Sequence, residues 1–154
     1  MSTLRIRRAT PADADIIAAA NVAMAAETEA RHLDRARTAA AVRRALADTT
    51  LGVYWLAERD GNVVGQLLIT TEFSDWRDGV FWWIQSVYVV PAARRTGVYR
   101  ALYERMVQEA RRTPGVCGVR LYVDRHNAAA QAVYRRLGMH ETEYRLFEAD
   151  WSAA

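Results

Sequence analysis

The sequence predicts a mixed α/β (α+β) fold in which helices flank a central, mostly antiparallel sheet, with the element order βααβββαβαβ. Three observations predict it. Short alternating or apolar runs, typical of strands, are interleaved with segments of helical periodicity. The turn sequence of residues 59–62, Arg-Asp-Gly-Asn, joins two strands as a hairpin. Residues 80–90 form a nearly continuous apolar run ended by Pro91, as expected for a strand buried on both faces.

The first half of the chain supplies five elements. Residues 4–8 alternate as a first strand. Thr10 is a good N-cap for a helix that runs to about Glu29, because Pro11 suits its first position and Asp13 its first turn. The inward side of this helix is predicted to carry Ile16, Ile17, Ala20 and Met24. A second helix over 38–47, strands over 53–58 and 63–71, and a loop over 73–79 follow.

The second half continues the alternation. After the apolar strand, a helix over 97–112 has an inward stripe of Val98, Leu102 and Met106 at i, i+4 and i+8. Residues 116–123 form a strand, and residues 127–137 a helix that Gly138 ends. Thr142, Tyr144 and Leu146 alternate in a predicted last strand.

Length and composition limit the kinds of function. The 154 residues fit a single domain, 1–154, without linker or repeat. The net charge of +3 comes from arginines scattered over the chain, so we expect no nucleic-acid partner. The longest apolar run is too short to span a bilayer, which needs roughly 20 residues, so we expect no membrane association.

The single cysteine and the histidines exclude two further kinds of site. Cys117 has no partner for an internal disulfide, and the N-terminus lacks a secretory signal pattern, so we expect a cytoplasmic protein. Cys117 is expected to be a buried small residue. His32, His126 and His140 have no metal-ligand spacing, and no metal is predicted.

The segment after the apolar strand has the pattern of an anion site. Pro91-Ala92-Ala93-Arg94-Arg95-Thr96-Gly97 forms a tight loop that opens directly into a helix. Such a loop directs backbone N–H groups to one spot, where the helix N-terminus adds about half a positive charge. Gly97 allows close approach to a pyrophosphate, and Arg94, Arg95 and Arg100 add charge. The alternative is an ordinary strand–loop–helix junction with solvated arginines.

A second pattern follows near the C-terminus. Asn127, Ala130, Tyr134 and Gly138 lie at i, i+3, i+7 and i+11, with Asn127 as N-cap. A tyrosine hydroxyl, with a pKa of about 10, can protonate a departing thiolate, whose thiol has a pKa of about 8.5. The alternative is that Tyr134 is only a core aromatic residue.

Together the two patterns resemble the GNAT (general control N-acetyltransferase) superfamily. Its phosphate loop reads Gln/Arg-x-x-Gly-x-Gly/Ala, and residues 94–99 read Arg-Arg-Thr-Gly-Val-Tyr, departing at Tyr99. Its later motif, Asn-x-x-Ala-x-x-x-Tyr-x-x-x-Gly-Phe/Met, is matched throughout by residues 127–139. The element order is also the family's, so the resemblance covers the whole chain.

The resemblance implies that acetyl-CoA binds as co-substrate between the apolar strand and the next, which splay apart in the family. The backbones of Val87 and Val89 would bind its pantetheine arm, and Asn127 would contact that arm. Tyr134 would lie beside the sulfur. The pyrophosphate would be held by Arg94, Arg95, Thr96, Gly97, Val98, Tyr99 and Arg100. The Tyr99 side chain would lean outward or stack near the adenine.

The amine acceptor also needs a base. Many family members place a Glu on the apolar strand, where this sequence has Gln85 and Ser86, which can hold a water. Glu72, at the end of the preceding strand, is the predicted base, directly or through that water. Its alternative is a solvated carboxylate. Glu27 and Glu29, at the end of the first helix, are second choices, in a region that commonly lines the acceptor site in the family.

Three tryptophans, Trp76, Trp82 and Trp83, lie close to Asp75 and Asp78 in sequence. They could form the wall of a pocket for a cationic amine. Core or dimer packing is the favoured alternative, because neighbouring strand residues point to opposite faces. A homodimer is therefore left open.

The function implied is direct transfer of acetyl from acetyl-CoA to a primary amine of a small molecule or peptide, without a covalent enzyme intermediate. Two alternatives stay open. One is a non-catalytic acyl-CoA-binding regulatory domain. The other is an acyltransferase that uses a different acyl chain or a hydroxyl acceptor.

Overall fold

The computed structural model describes residues 2–152 of the chain. Its strands are β1 (Leu4–Arg8), β2 (Val53–Arg59), β3 (Asn62–Ser74), β4 (Gly79–Val89) and β5 (Val116–Arg120). Its α-helices are α1 (Ala14–Glu29), α2 (Arg35–Ala47), α3 (Val98–Arg112) and α4 (Ala128–Arg136), and short 3₁₀ turns precede α1 and follow β4. The chain divides into two compact units, Met1–Leu121 and Tyr122–Ala154.

The first unit contains one five-stranded sheet in the order β1-β2-β3-β4-β5. The first four strands pair antiparallel with their neighbours, and β5 pairs parallel with β4. The predicted mixed, mostly antiparallel sheet is therefore confirmed.

Helices cover both faces of this sheet. The α3 stripe of Val98, Leu102 and Met106 is 2%, 0% and 0% exposed and packs with Trp55 and Leu67 on one face. On the other face Ile17 of α1 and Val42 of α2 pack with Tyr54 and Leu56. Tyr54 and Trp55 point to opposite faces because side chains alternate along a strand.

The starts of the first two helices differ from the predicted ones. Thr10, the predicted cap of the first helix, precedes a 3₁₀ turn over Pro11–Asp13 in which the Asp13 carboxylate accepts a hydrogen bond from the Thr10 N–H at 2.7 Å, and α1 begins after this turn at Ala14. The second helix begins at Arg35, three residues earlier than predicted, because the carboxylate of Asp34 accepts from the Arg37 N–H at 2.7 Å. On α1 the prediction for Ile16 was wrong, since this residue is 44% exposed.

At the edge of the sheet, β5 ends at Arg120, three residues before the predicted end. Cys117 on this strand is exposed, so the prediction that it is buried was wrong. Its position explains the difference, because an edge strand has a neighbour on one side only.

In the second unit, α4 has the predicted caps. Asn127 Oδ1 accepts a hydrogen bond from the Ala130 N–H at 3.1 Å. Gly138 has a φ of 88°, and the N–H groups of Gly138 and Met139 bond to the carbonyls of Arg135 and Tyr134, each at 3.1 Å. These two bonds end the helix in a left-handed glycine cap.

The predicted last strand is not formed among residues 2–152. Residues 142–146 have the alternation of a strand, but alternation needs a neighbouring strand to complete a ladder, and no ladder is formed there. Tyr144 and Leu146 are 75% and 73% exposed. The observed element order therefore ends with α4.

Candidate active site

A bulge interrupts β4 in its second half. Gln66 pairs with Tyr88 and Leu68 pairs with Gln85, so Ser86 and Val87 together lie opposite one residue of β3. Ser86 adopts a φ of 50°, which is uncommon for a residue with a side chain. A bulge leaves the backbone groups of its extra residue outside the ladder, where they can bind something else.

The same half of β4 has no partner on its other side. The ladder between β4 and β5 covers Val80 to Trp83 and Val116 to Arg120, and stops there within the described part of the chain. Val87 and Val89, whose backbones were predicted to hold a pantetheine arm, therefore lie beyond the end of that ladder. The ladder between these two strands thus ends before the segment in which the resemblance implied that they splay apart.

The loop before α3 has the features of an anion site. Gly97 has a φ of 83°, and a side chain added there would meet nothing within 4 Å, so its outer surface is open. Within residues 2–152, the backbone N–H groups of Arg95, Thr96 and Gly97 donate no hydrogen bond. Val98 begins a helix of 15 residues, whose first N–H groups have no intrahelical acceptor. These unused donors fit a phosphate or pyrophosphate.

The arginines of this loop differ in their partners. Arg94 donates to Glu27 Oε2 at 2.6 Å and to the Val89 carbonyl at 2.9 Å, and its guanidinium lies 5.6 Å from the centre of the Tyr88 ring. Arg100 pairs with Glu104 at 3.0 Å. For Arg95, no ion pair is formed with any described residue. Arg95 is thus the arginine most available to an anion.

Arg59 is a further cation at this loop and was not predicted from the sequence. Its guanidinium donates to Thr96 Oγ1 at 3.2 Å, and Thr96 Oγ1 donates to the Ala93 carbonyl at 2.6 Å. Arg59 ends β2, 37 residues before Thr96, and no local pattern connects the two positions.

Tyr99, where the sequence departs from the family motif, does not lean outward. Its hydroxyl oxygen is buried, and its ring centroid lies 6.3 Å from that of Tyr103 in the same helix. The prediction of an outward side chain was wrong, because the ring packs along α3.

Glu72 lies in an ion pair. Arg120 of β5 donates to its Oε1 at 2.8 Å, and the same guanidinium lies 3.6 Å from the centre of the Phe81 ring on the strand between them. Glu72 pairs in register with Phe81, five positions before Ser86, which corresponds to about 17 Å along the strand. Gln85 lies much closer to the bulge and donates to Thr70 Oγ1 at 2.5 Å.

Glu27 lies closer to the bulged part of β4 than Glu72 does. Its Oε1 accepts a hydrogen bond from the Tyr88 hydroxyl at 3.3 Å, and Tyr88 is two positions after Ser86. Burial, together with the charge of Glu27, raises the pKa of the Tyr88 hydroxyl. Glu29 instead pairs with Arg31 at 3.9 Å.

In the second unit, Tyr134 lies on α4, seven residues after the cap Asn127. Its side chain is half-buried, and burial raises the pKa of its hydroxyl above the usual 10.0. The hydroxyl is therefore protonated at neutral pH, as a proton donor must be.

Sequence and structure comparisons identify the family. The chain matches the family model described as acetyltransferase (GNAT) family over residues 18–139. The chain belongs to this family. No curated protein matches the sequence.

Solved structures agree with this assignment. A possible acetyltransferase from Clostridium difficile 630 is 37% identical, with a TM-score of 0.90 over 97% of this chain and 99% of that chain. A probable acetyltransferase is 25% identical, with a TM-score of 0.85 over 97% and 99%. A predicted acetyltransferase with acetyl-CoA from Clostridium acetobutylicum, 18% identical, has the same fold, with a TM-score of 0.77 over 96% of each chain.

Trp76, Trp82 and Trp83 of this acetyltransferase do not line one pocket together. Trp82 packs against the core on the α3 side of the sheet, whereas Trp83, its neighbour, points to the opposite face. Trp76 is 84% exposed in the turn between β3 and β4. Of these three tryptophans, only Trp83 points to the same face of the sheet as Gln85, because residues two positions apart on a strand share a face.

No group of three or more His, Cys, Asp or Glu side chains suited to a metal occurs in the part of this acetyltransferase that the structure describes. None of its described helices is long and apolar enough to cross a membrane.

Proposed function

We propose that this acetyltransferase transfers the acetyl group of acetyl-CoA to an amine. The observation that carries the proposal is the loop before α3, where the N–H groups of Arg95, Thr96 and Gly97 are unused at a helix N-terminus. This loop directly follows a bulged strand whose second half is open on one side. An anion site beside an open strand edge suits a long ligand with a pyrophosphate at one end.

In this proposal the chain holds acetyl-CoA from β4 to the start of α3. The backbones of Val87 and Val89 bind the pantetheine arm. The loop residues 94–100 bind the pyrophosphate. Arg95, which forms no ion pair with a described residue, and Arg59, which donates to the Thr96 hydroxyl, supply positive charge there. Asn127 contacts the arm through its amide N–H₂, because its Oδ1 already caps α4. Acetyl-CoA supplies the acetyl group as a thioester, which an amine can attack.

In the proposed complex the bulge binds the carbonyl oxygen of the acetyl group. A backbone N–H released from the ladder near Ser86 and Val87 would donate to the thioester oxygen, where negative charge develops. Tyr134 would then protonate the leaving thiolate, because its hydroxyl stays protonated at neutral pH.

Two carboxylates compete for the role of base. Glu72 is the sequence-based choice, but a single water cannot span the roughly 17 Å of strand that separates its register position from the bulge. We place Glu27 first, because its carboxylate accepts a hydrogen bond from the hydroxyl of Tyr88, which is two residues after Ser86 in the bulged strand. Glu72 would then face the far end of the acceptor. Gln85 lies on the same face of the sheet, between Glu72 and the bulge.

The acceptor in this reaction is an amine. The reaction consumes an amine and forms an amide, while the proton released from the nitrogen passes to the base.

With a single cysteine and no internal disulfide, the chain suits the reducing cytoplasm.

The test is a thiol-release assay with acetyl-CoA and a panel of amines, each matched by the alcohol that replaces its amino group with a hydroxyl. We expect amine-dependent thiol release and an acetylated amine in the mass spectrum. Release with alcohols alone would assign a hydroxyl acceptor instead. Tight binding of acetyl-CoA with no release from any compound would favour the non-catalytic acyl-CoA-binding domain.

A further inference from the structure

Gln66 is the one buried polar residue in the core of the described chain, with 2% of its surface exposed. It lies on β3, directly opposite Tyr88 and one position before the residue that the bulge faces. We propose that Gln66 is the positioning residue that holds the β4 bulge in its reactive geometry. The inference rests on the proposed function, since it concerns the backbone that would bind the thioester.

The Gln66 amide bonds to the bulge itself. Its Nε2 donates to the carbonyl oxygen of Ser86 at 3.3 Å. A bulge removes the backbone groups of its extra residue from the ladder, and the carbonyl of the half-buried Ser86 is stabilised by a donor that replaces the lost one. Gln66 supplies that donor from the neighbouring strand.

A second bond fixes the amide from the opposite side. Gln66 Nε2 also donates to Asn21 Oδ1 at 2.7 Å, and Asn21 Nδ2 donates to the Tyr54 hydroxyl at 3.2 Å. The chain of bonds runs from β2 through α1 to β3 and ends at the bulge. The Gln66 amide nitrogen therefore donates one hydrogen to Asn21 and the other to Ser86, and these two bonds fix the orientation of its side chain.

The conformation of Ser86 explains why the bulge needs such support. A φ of 50° is unfavourable for a residue with a side chain and persists where the surroundings hold it. If the Ser86 carbonyl rotates, the adjoining peptide N–H rotates with it, because the peptide unit is planar. Gln66 thereby controls the direction in which the N–H of Val87 points.

This role differs from a contribution to stability alone. Leucine has nearly the volume of glutamine and would fill the same core position, but it has no N–H to donate. The change Gln66→Leu should therefore leave the fold intact and allow the bulge to relax. Val42→Ala is the matched control, because Val42 is 1% exposed on the same face of the sheet and has no hydrogen bond to the bulge.

The experiment uses a ketone analogue of acetyl-CoA that cannot transfer its acetyl group, labelled with carbon-13 at the carbonyl. In the parent protein we expect the bound carbonyl resonance to lie downfield of the free one, because its oxygen accepts a hydrogen bond. Gln66→Leu should bind the analogue with near-parent affinity but shift the resonance back toward the free position. Its kcat with an accepted amine should fall about 10-fold to 100-fold, with KM for acetyl-CoA little changed.

The control and a second variant make the result decisive. Val42→Ala should lower the melting temperature and keep the downfield resonance. If Gln66→Leu does not fold, Asn21→Ala removes the second anchor of the Gln66 amide and should shift the resonance in the same direction. A parent-like resonance and parent-like kcat in the folded variant would overturn the role of Gln66. Failure of the parent protein to bind the analogue would instead contradict the proposed function.

Discussion

Glu27 Oε2 lies 2.6 Å from Nη2 of Arg94, which joins the end of α1 to the loop before α3. The two side chains are 39% and 44% exposed, and pairs of this kind contribute about 0–1 kcal/mol to stability. The main effect of the pair is therefore on orientation, because it holds the Glu27 carboxylate beside the strand that would bind the donor.

The two candidate bases are distinguished by kinetics. If Glu27 accepts the proton, Glu27→Gln should lower kcat by about 10²–10⁴-fold, with acetyl-CoA affinity little changed. Glu72→Gln should instead raise KM for the amine and leave kcat closer to that of the parent. Steady-state rates across pH with one accepted amine give both parameters.

Asp15→Asn is the control for that comparison, because Asp15 is an exposed carboxylate whose partner Arg43 lies on α2. It should behave as the parent. The reverse pattern, with kcat lost in Glu72→Gln and kept in Glu27→Gln, would restore Glu72 as the base.

Much of the fold could be predicted because the signals are local. The inward stripe of α3, the hairpin after β2 and the glycine that ends α4 each depend on residues within a few positions of one another. The start of α2 was missed although its signal, Asp34, is local, because Thr38 was preferred as the first residue.

The parts of the site that could not be predicted depend on pairing between distant residues. The bulge at Ser86 is a mismatch of register between two strands, and no residue type specifies it. In the sequence, Gln66 is an ordinary polar residue within an apolar strand. Its hydrogen bonds to Asn21 and Ser86, 45 and 20 residues away, are formed only in the folded chain. The ion pair of Glu72 with Arg120 likewise joins two strands 48 residues apart.

Stability near the N-terminus should depend on pH through Asp13. Hydrogen bonds from Arg7, at 2.9 Å to each carboxylate oxygen, hold the pKa of Asp13 at about 2, below its ordinary 3.8. A lowered pKa means that the ionised form stabilises the fold by about 2 kcal/mol above pH 4, and that this is lost as pH falls toward 2.

Urea unfolding of the parent and of Asp13→Asn checks this. The difference in unfolding free energy should be largest near neutral pH and shrink between pH 4 and pH 2. A difference that stays constant over this range would show that the carboxylate charge does not matter.

Tyr134→Phe should slow the reaction by about 10²–10⁴-fold, because the ring is kept and only the hydroxyl that donates the proton is lost. The loss should be greatest with acyl donors whose leaving thiols are most basic, since acidic thiols leave as thiolates without help. Rates measured with a series of donor thiols check this. An equal loss for all thiols would mean that Tyr134 positions the donor and does not protonate it.

Arg95→Ala should weaken acetyl-CoA binding at low ionic strength, and the effect should diminish as salt is added, because screening shortens the range of a charge to about 10 Å at 0.1 M. Arg112→Ala is the matched control. It removes the same charge from the last turn of α3, about 21 Å away along the helix. Calorimetric titration at several salt concentrations compares them, and equal behaviour of the two variants would exclude a specific role for Arg95.

The binding of acetyl-CoA at the loop before α3 is tested most directly by melting curves of three proteins with and without millimolar acetyl-CoA: the parent, Gly97→Val and Gly115→Val. Gly97 and Gly115 share a φ of 83° with open space around an added side chain, so both variants carry a similar backbone strain of about 1–2 kcal/mol. At 100 times its dissociation constant the ligand adds about 2.7 kcal/mol, which should raise the melting temperature of the parent and of Gly115→Val by about 5–10 °C. Gly97→Val should show little or no rise. No rise in the parent, or an equal rise in all three proteins, would contradict the assignment of this loop as the acetyl-CoA site.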